Sequence, residues 1–177
     1  MCVTGAGDRS KGAESKRIIV LSLHNFSMPD FHVVAANLIE KEGEYLLVKE
    51  GKEPVRGLWN LPAGGAKKDE DIKEAAVREV KEETGLKVSL EGILGVFVDE
   101  SDRSDTKVLI FVFNASTEDF EIKTPESGEI LDAGLYSSDE INSMDIRVPF
   151  IQEAIKRYER GEEKSLDTLK DYRKDLK

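Results

Sequence analysis

The sequence predicts a single-domain α/β or α+β sandwich, and three observations predict it. Segments rich in β-branched and aromatic residues bracket one sharply delimited helix, further helical pattern follows near the end, and 177 residues provide for one core. With 39% hydrophobic and 35% charged residues, the composition is that of a water-soluble globular chain. The longest apolar candidate, Ile18 to Leu23, is six residues long. That is far below the roughly 20 needed to cross a bilayer and too short for a secretion signal. Cys2 is alone, which excludes an intramolecular disulfide framework and a cysteine-cluster zinc site. The expected setting is therefore reducing and cytoplasmic, without a membrane partner.

Residues 1–30 read as an N-terminal arm, disordered in part or carrying one extra strand at Ile18 to Leu23. Residues 31–160 read as the folded domain. Val33 to Ile39 and Tyr45 to Val48 are strand-like, and Glu42-Gly43-Glu44 turns between them to make a hairpin. Trp59 and Leu61 flank Asn60 just before a Pro62-Ala63-Gly64-Gly65 turn. A helix over Ile72 to Thr84 follows, with Asp71 as N-cap, Glu74 completing a capping box, and Gly85 as the left-handed stop. Glu74 and Arg78 form a favourable i,i+4 pair. Strands are expected at Lys87 to Leu90, Ile93 to Val98, Lys107 to Phe113 and Ile130 to Tyr136, with an exposed connection at Asp99 to Asp105. Ser137 to Glu140 opens a short helix, and Pro149 to Arg160 a longer one with Phe150, Ile151, Ala154, Ile155 and Tyr158 inward. Residues 161–177 are a charged tail in which Leu166, Leu169, Tyr172 and Leu176 recur at helical spacing. Such a tail rests on its own domain or receives a partner.

The helix is harder to account for as structure alone. At about 100° per residue, Ala76, Val77, Val80 and Thr84 face a sheet, whereas Glu74, Arg78 and Lys81 fall on the solvated side. Glu79, Glu82 and Glu83 share a third arc together with Ala75, whose small size leaves space above the helix. Like charges at this spacing repel by about 0.2–0.5 kcal/mol per pair, and acids in a last helical turn oppose the macrodipole by about 0.3–1 kcal/mol each. Read alone, the arc is a solvated acidic face or a cluster for a hard divalent cation such as Mg²⁺ or Mn²⁺. The Gly64-Gly65 turn before it, whose backbone is able to approach a ligand closely, favours the second reading.

From Gly64 to Leu86 the chain resembles the Nudix box in full. That pattern is Gly, five residues, Glu, seven residues, then Arg-Glu-apolar-any-Glu-Glu-any-Gly-apolar, and Gly64, Glu70, Arg78, Glu79, Val80, Glu82, Glu83, Gly85 and Leu86 occupy every specified position. Asp69 stands where relatives usually carry Gly. The resemblance extends from Phe31 to Tyr158. It implies a Nudix-type α/β/α sandwich around a mixed β-sheet, and a hydrolase of the phosphoric anhydride bond that links a nucleoside diphosphate to another group. It further implies Mg²⁺, with Mn²⁺ as substitute, held by Glu79, Glu82, Glu83 and the Ala63 carbonyl. Arg78 would orient the helix carboxylates and Glu70 steady the loop. A base is required for the attacking water, and its candidates are a helix glutamate or a loop carboxylate. Glu129 is placed where many relatives carry a supporting glutamate, with an ordinary loop acid as its other reading; Glu126 is close by.

Substrate choice is less determined. Gly64 and Gly65 are candidate substrate contacts. Trp59 either stacks on a base or packs on the core, and Arg56 either touches phosphate or is simply exposed. Glu100 and Ser101 stand where ADP-ribose-preferring relatives often show a proline, although Leu61-Pro62-Ala63-Gly64 is similar to the turn of ADP-sugar hydrolases. The reading favoured is cleavage of a nucleoside di- or triphosphate, oxidised or non-standard bases included. An ADP-ribose or nucleotide-sugar pyrophosphatase is the alternative, and a non-catalytic nucleotide-binding module the alternative of another class. With 36 acidic against 26 basic residues and a formal charge of -10, the chain offers no basic stripe for a nucleic-acid polymer. A small anionic nucleotide would need a bridging cation. Homodimers are common among relatives, and nothing in this sequence forces one.

Overall fold

The computed structural model describes residues 31–100 and 106–171. The N-terminal arm with Ile18 to Leu23, most of the 99–105 connection, and Tyr172 and Leu176 lie outside the described residues. In chain order the elements are β1 (Phe31–Lys41), β2 (Glu44–Glu50), β3 (Trp59–Asn60), β4 (Ala63–Gly65), α1 (Ile72–Thr84), β5 (Ser89–Glu100), β6 (Lys107–Ser116), β7 (Ile130–Ser137), α2 (Ser138–Ser143) and α3 (Phe150–Glu159). Among the described residues no helix is long and apolar enough to cross a membrane.

β1 organises the sheet because every residue from Ala35 to Ile39 is buried, a continuous run that only a strand covered on both faces can carry. It pairs in parallel with β6 and antiparallel with β2 and β4, while β5 pairs with β6 and β3 and β7 pair with β2. The sheet is therefore mixed, in the order β3-β2-β1-β6-β5 with β4 and β7 off this path. Period-two alternation along β1 divides the core. Ala36 and Leu38 pack with Ile141 of α2 and Ile151, Ala154 and Ile155 of α3, whereas Ala35 packs with Ala75 and Ala76 of α1. Helices thus cover both faces, and the α/β/α sandwich expected from the sequence is the observed architecture.

The hairpin closes through Glu42 and Gly43, both at positive φ (53° and 87°), the geometry that matches strand twist in a two-residue loop. Helix α1 has the predicted bounds and ends. Asp71 accepts from Lys73 N, Glu74 completes the capping box, and Gly85 sits at φ 74° with its N–H on the Lys81 carbonyl.

Several local expectations are corrected. Ala63 to Gly65 is a short strand on β1 rather than only a turn, which fixes its distance from α1. The two strands expected over 87–98 are one, β5, because bulges between Leu90 and Gly92 and between Ile93 and Gly95 absorb the break in pattern. Ala75 lies in the core and leaves no open space above the helix. Beyond α3 the described tail is not α-helical: Lys164 bridges to Ile93, a 3-10 turn covers Leu166–Thr168, and Leu166 and Leu169 pack on the cluster beneath α1. Helical spacing of leucines there reflects contact with the domain's own core.

Candidate active site

Three anchors bring the site together. Asn37, buried in β1, donates its Nδ2 to the Pro62 carbonyl (3.3 Å) and to the Ala76 carbonyl of α1 (3.0 Å). Its N–H also reaches the Pro62 carbonyl at 2.9 Å. One side chain thereby holds both the segment entering β4 and the middle of α1. Glu83 answers from the helix, its Oε2 accepting the Ala63 N–H at 3.0 Å. At Gly64 a Cβ would run into the Glu79 carboxylate, so glycine leaves the room in which that carboxylate lies against β4.

Arg78 is not on the solvated side that the helical wheel assigns to it. Its long side chain curls back, as amphipathic side chains do. Nε and NH2 make a bidentate contact with Glu70 (2.6 and 2.8 Å), NH1 donates to Glu79 Oε1 (2.6 Å) and Glu82 Oε2 (2.9 Å), and NH2 reaches the Gly65 carbonyl (3.1 Å). The Glu74 pairing expected for Arg78 is replaced by this set, while Glu74 serves the cap. The guanidinium holds the Glu70 carboxyl well below the usual carboxylate range, and Glu70 in turn accepts the Lys67 N–H.

The electrostatics of the glutamates differ by burial. Glu82 is exposed, but Glu79 has a side chain only 12% exposed and burial raises its pKa against the opposing pull of Arg78. Glu83 is pushed up to about 9, first by burial and then by the charges of Glu50, Glu79 and Glu129, with the Ala63 N–H opposing. A carboxylate so placed is what a hard dication would stabilise, and the carboxylate oxygens of Glu79 and Glu83 are donors of the kind such an ion takes. Arg78 and the Ala63 N–H engage these acids, and among the described residues no three acidic, His or Cys side chains already stand as a cage. The contact recorded for Ala63 is its N–H rather than its carbonyl.

Glu129 is exposed, pairs with Lys52, and is near enough for its charge to act on Glu83. It arrives there because the Gly51 N–H binds the Glu129 carbonyl at 2.8 Å and a Cβ on Gly51 would strike the Gly128 carbonyl. Arg56 is exposed and donates to the Gly51 carbonyl at 2.6 Å. Trp59 packs at the core rim, edge-on to Tyr136 at 4.9 Å between centroids, with Lys49 Nζ 5.4 Å from its ring. Gly65 has open space where a Cβ would be.

Sequence reasoning missed Asn37 and Glu50. Glu50 ends β2 with a side chain 14% exposed, and its Oε1 accepts from Asn60 Nδ2 (3.0 Å) and Arg147 NH1 (2.8 Å). Nothing local in the sequence marked either residue, since the role of each depends on contacts with distant segments.

Comparison with known proteins agrees with this geometry. A profile of the NUDIX domain matches residues 28–158. The chain is 30% identical over 142 residues to phosphatase NudJ of Escherichia coli strain K12, covering 80% of this chain and 92% of that protein. Among solved structures it is similar to a NUDIX hydrolase from Nitrosomonas europaea (TM-score 0.73, 31% identity, 82% of this chain and 98% of that one). It is also similar to a MutT protein from Methanosarcina mazei Go1 (TM-score 0.65, 28% identity, 77% and 98%).

Proposed function

Because this chain belongs to the NUDIX family and is a Nudix hydrolase, we propose that it cleaves the phosphoric anhydride linkage of a nucleoside di- or triphosphate with a divalent cation, Mg²⁺ or Mn²⁺. One observation carries the reading: Glu79 and Glu83 are drawn into a partly buried, mutually repelling group, with the Glu79 carboxylate seated in the space that the missing Cβ of Gly64 leaves. Folding gains nothing from that arrangement, whereas a cation site does.

Glu79, Glu82 and Glu83 would hold the cation, which would supply neutralisation of charge on the phosphoryl oxygens during attack of water at phosphorus. The chain's own residues do the rest. Arg78 fixes the directions of Glu79 and Glu82 by hydrogen bonds from one guanidinium and ties them to β4. Asn37 holds β4 and α1 at constant separation. Glu83, held by the Ala63 N–H on Oε2, is also the first candidate to receive the proton of the attacking water. Glu129 is the second acid within reach of that role. The test is release of nucleoside monophosphate from a panel of nucleotides and nucleotide sugars with Mg²⁺, for wild type and Glu83→Gln. A loss of about 10²–10⁴-fold is expected for the variant, and equal turnover would contradict the assignment.

A further inference from the structure

Glu50, Asn60 and Arg147 form a unit that the hydrolytic machinery above does not use. Glu50 Oε1 accepts from both partners, Asn60 Nδ2 at 3.0 Å and Arg147 NH1 at 2.8 Å. The three come from different places: the end of β2, β3, and the segment between α2 and α3. Backbone bonds bring that segment alongside β3, since the Trp59 N–H reaches the Asp145 carbonyl (2.9 Å) and the Arg147 N–H reaches the Trp59 carbonyl (2.8 Å).

Stability does not explain the unit. Asn60 is 4% exposed and its Oδ1 has no hydrogen-bond partner among the described residues. A buried acceptor left unpaired is destabilising, and an apolar residue would avoid it. What Asn60 does provide is a second donor that fixes the Glu50 carboxylate, and the carboxylate in turn fixes one edge of Arg147. Arg147 uses only NH1 in this contact and remains 40% exposed, so NH2 and Nε have no partner recorded among the described residues. Other cations nearby differ: Arg78 is saturated by carboxylates and a carbonyl, Lys52 and Arg56 are held on exposed loops, and Lys49 Nζ lies over the Trp59 ring.

The geometry points to Arg147 as a contact for the phosphate groups of the substrate, seated by Glu50 and Asn60 as positioning residues. This rests on the pyrophosphohydrolase reading, which supplies the anionic substrate. A planar guanidinium with a free edge matches phosphate oxygens in a bidentate manner that lysine does not reproduce. In a chain of formal charge -10, a cation pre-set at the rim of an acidic site also offsets the repulsion that a diphosphate meets there.

The experiment separates this inference from the functional reading on which it rests. Wild type is first assayed for hydrolysis with Mg²⁺, then wild type, Arg147→Ala, Arg147→Lys and Glu50→Gln are titrated with Mn²⁺ alone and with α,β-methylene-ADP plus Mg²⁺. Wild type and both Arg147 variants are expected to take up Mn²⁺ alike. The diphosphate probe should weaken by about 10- to 100-fold in Arg147→Ala and less in Arg147→Lys, with KM raised more than kcat is lowered. Should Arg147→Ala fail to fold, the lysine variant still reads the loss of the fork. Unchanged probe affinity in Arg147→Ala, when wild type hydrolyses nucleotides, overturns the assignment of Arg147 alone. Loss of Mn²⁺ by Glu50→Gln overturns it differently, by making Glu50 a metal ligand. A wild type that neither hydrolyses nucleotides nor binds the probe overturns both.

Discussion

At Gly64 a methyl group would occupy the space of the Glu79 carboxylate, which would have to move aside. Gly64→Ala is expected to leave the fold intact and lower kcat/KM by about 10- to 100-fold, the range for disturbing the supports of a metal ligand. Circular dichroism and steady-state kinetics check both halves. Glu83 governs a pH dependence whose sign is unusual for an acid. Its folded pKa is raised to about 9, so between the ordinary carboxylate range and pH 9 the native state binds more protons than the unfolded state. The stability it contributes is full below its unfolded pKa and is lost as pH rises through about 9. In EDTA the melting temperature should therefore fall from pH 5 to pH 9. Glu83→Gln should flatten the fall, and Mg²⁺ should offset it by binding the ionised form. Glu70 runs the opposite way, since its lowered pKa gives stability that disappears only in strong acid. Hydrolysis should favour alkaline pH, where the carboxylates are ionised; a rate maximum near pH 5 would contradict this.

Among elements, α1 was legible almost residue by residue, because its ends are written locally in Asp71, Glu74 and Gly85. Asp71→Ala should cost about 1 kcal/mol through loss of the cap, visible as a melting shift of roughly 2–4 °C for a chain of this size. The hairpin and the strands β6 and β7 were legible for the same reason: turn chemistry and residue type act over a few positions. Features set by distant contacts were not. Arg78 looked solvated on the wheel because a wheel places Cβ atoms, not the tip of a long side chain. Glu50 looked like an ordinary charged strand end, and its importance depends on Arg147, 97 residues further along. Ala63 to Gly65 looked like a turn because three residues carry no alternation, and only pairing with β1 makes them a strand.

At the scale of the molecule, the described tail is part of the body that holds α1, although the family match ends at residue 158. Lys164 pairs with Ile93 through two backbone bonds of 2.8 Å, Lys73 Nζ binds the Leu169 carbonyl, and Leu166 and Leu169 pack with Ala75 and Ala76 of α1. Removing residues from 162 onward should lower the melting temperature and increase amide exchange in α1; an unchanged exchange pattern would show that α1 is held by the sheet alone. The acidic surplus has a global consequence too, since a chain of formal charge -10 would need cations to take up an anionic nucleotide. That makes cation binding by the α1 acids the claim to test first. The direct measurement is Mn²⁺ titration followed by electron paramagnetic resonance, on wild type and on a Glu79→Gln, Glu83→Gln double variant. Saturable uptake by wild type that the double variant loses is the predicted result. Equal uptake by both proteins, or none by either with a nucleotide present, would contradict the account.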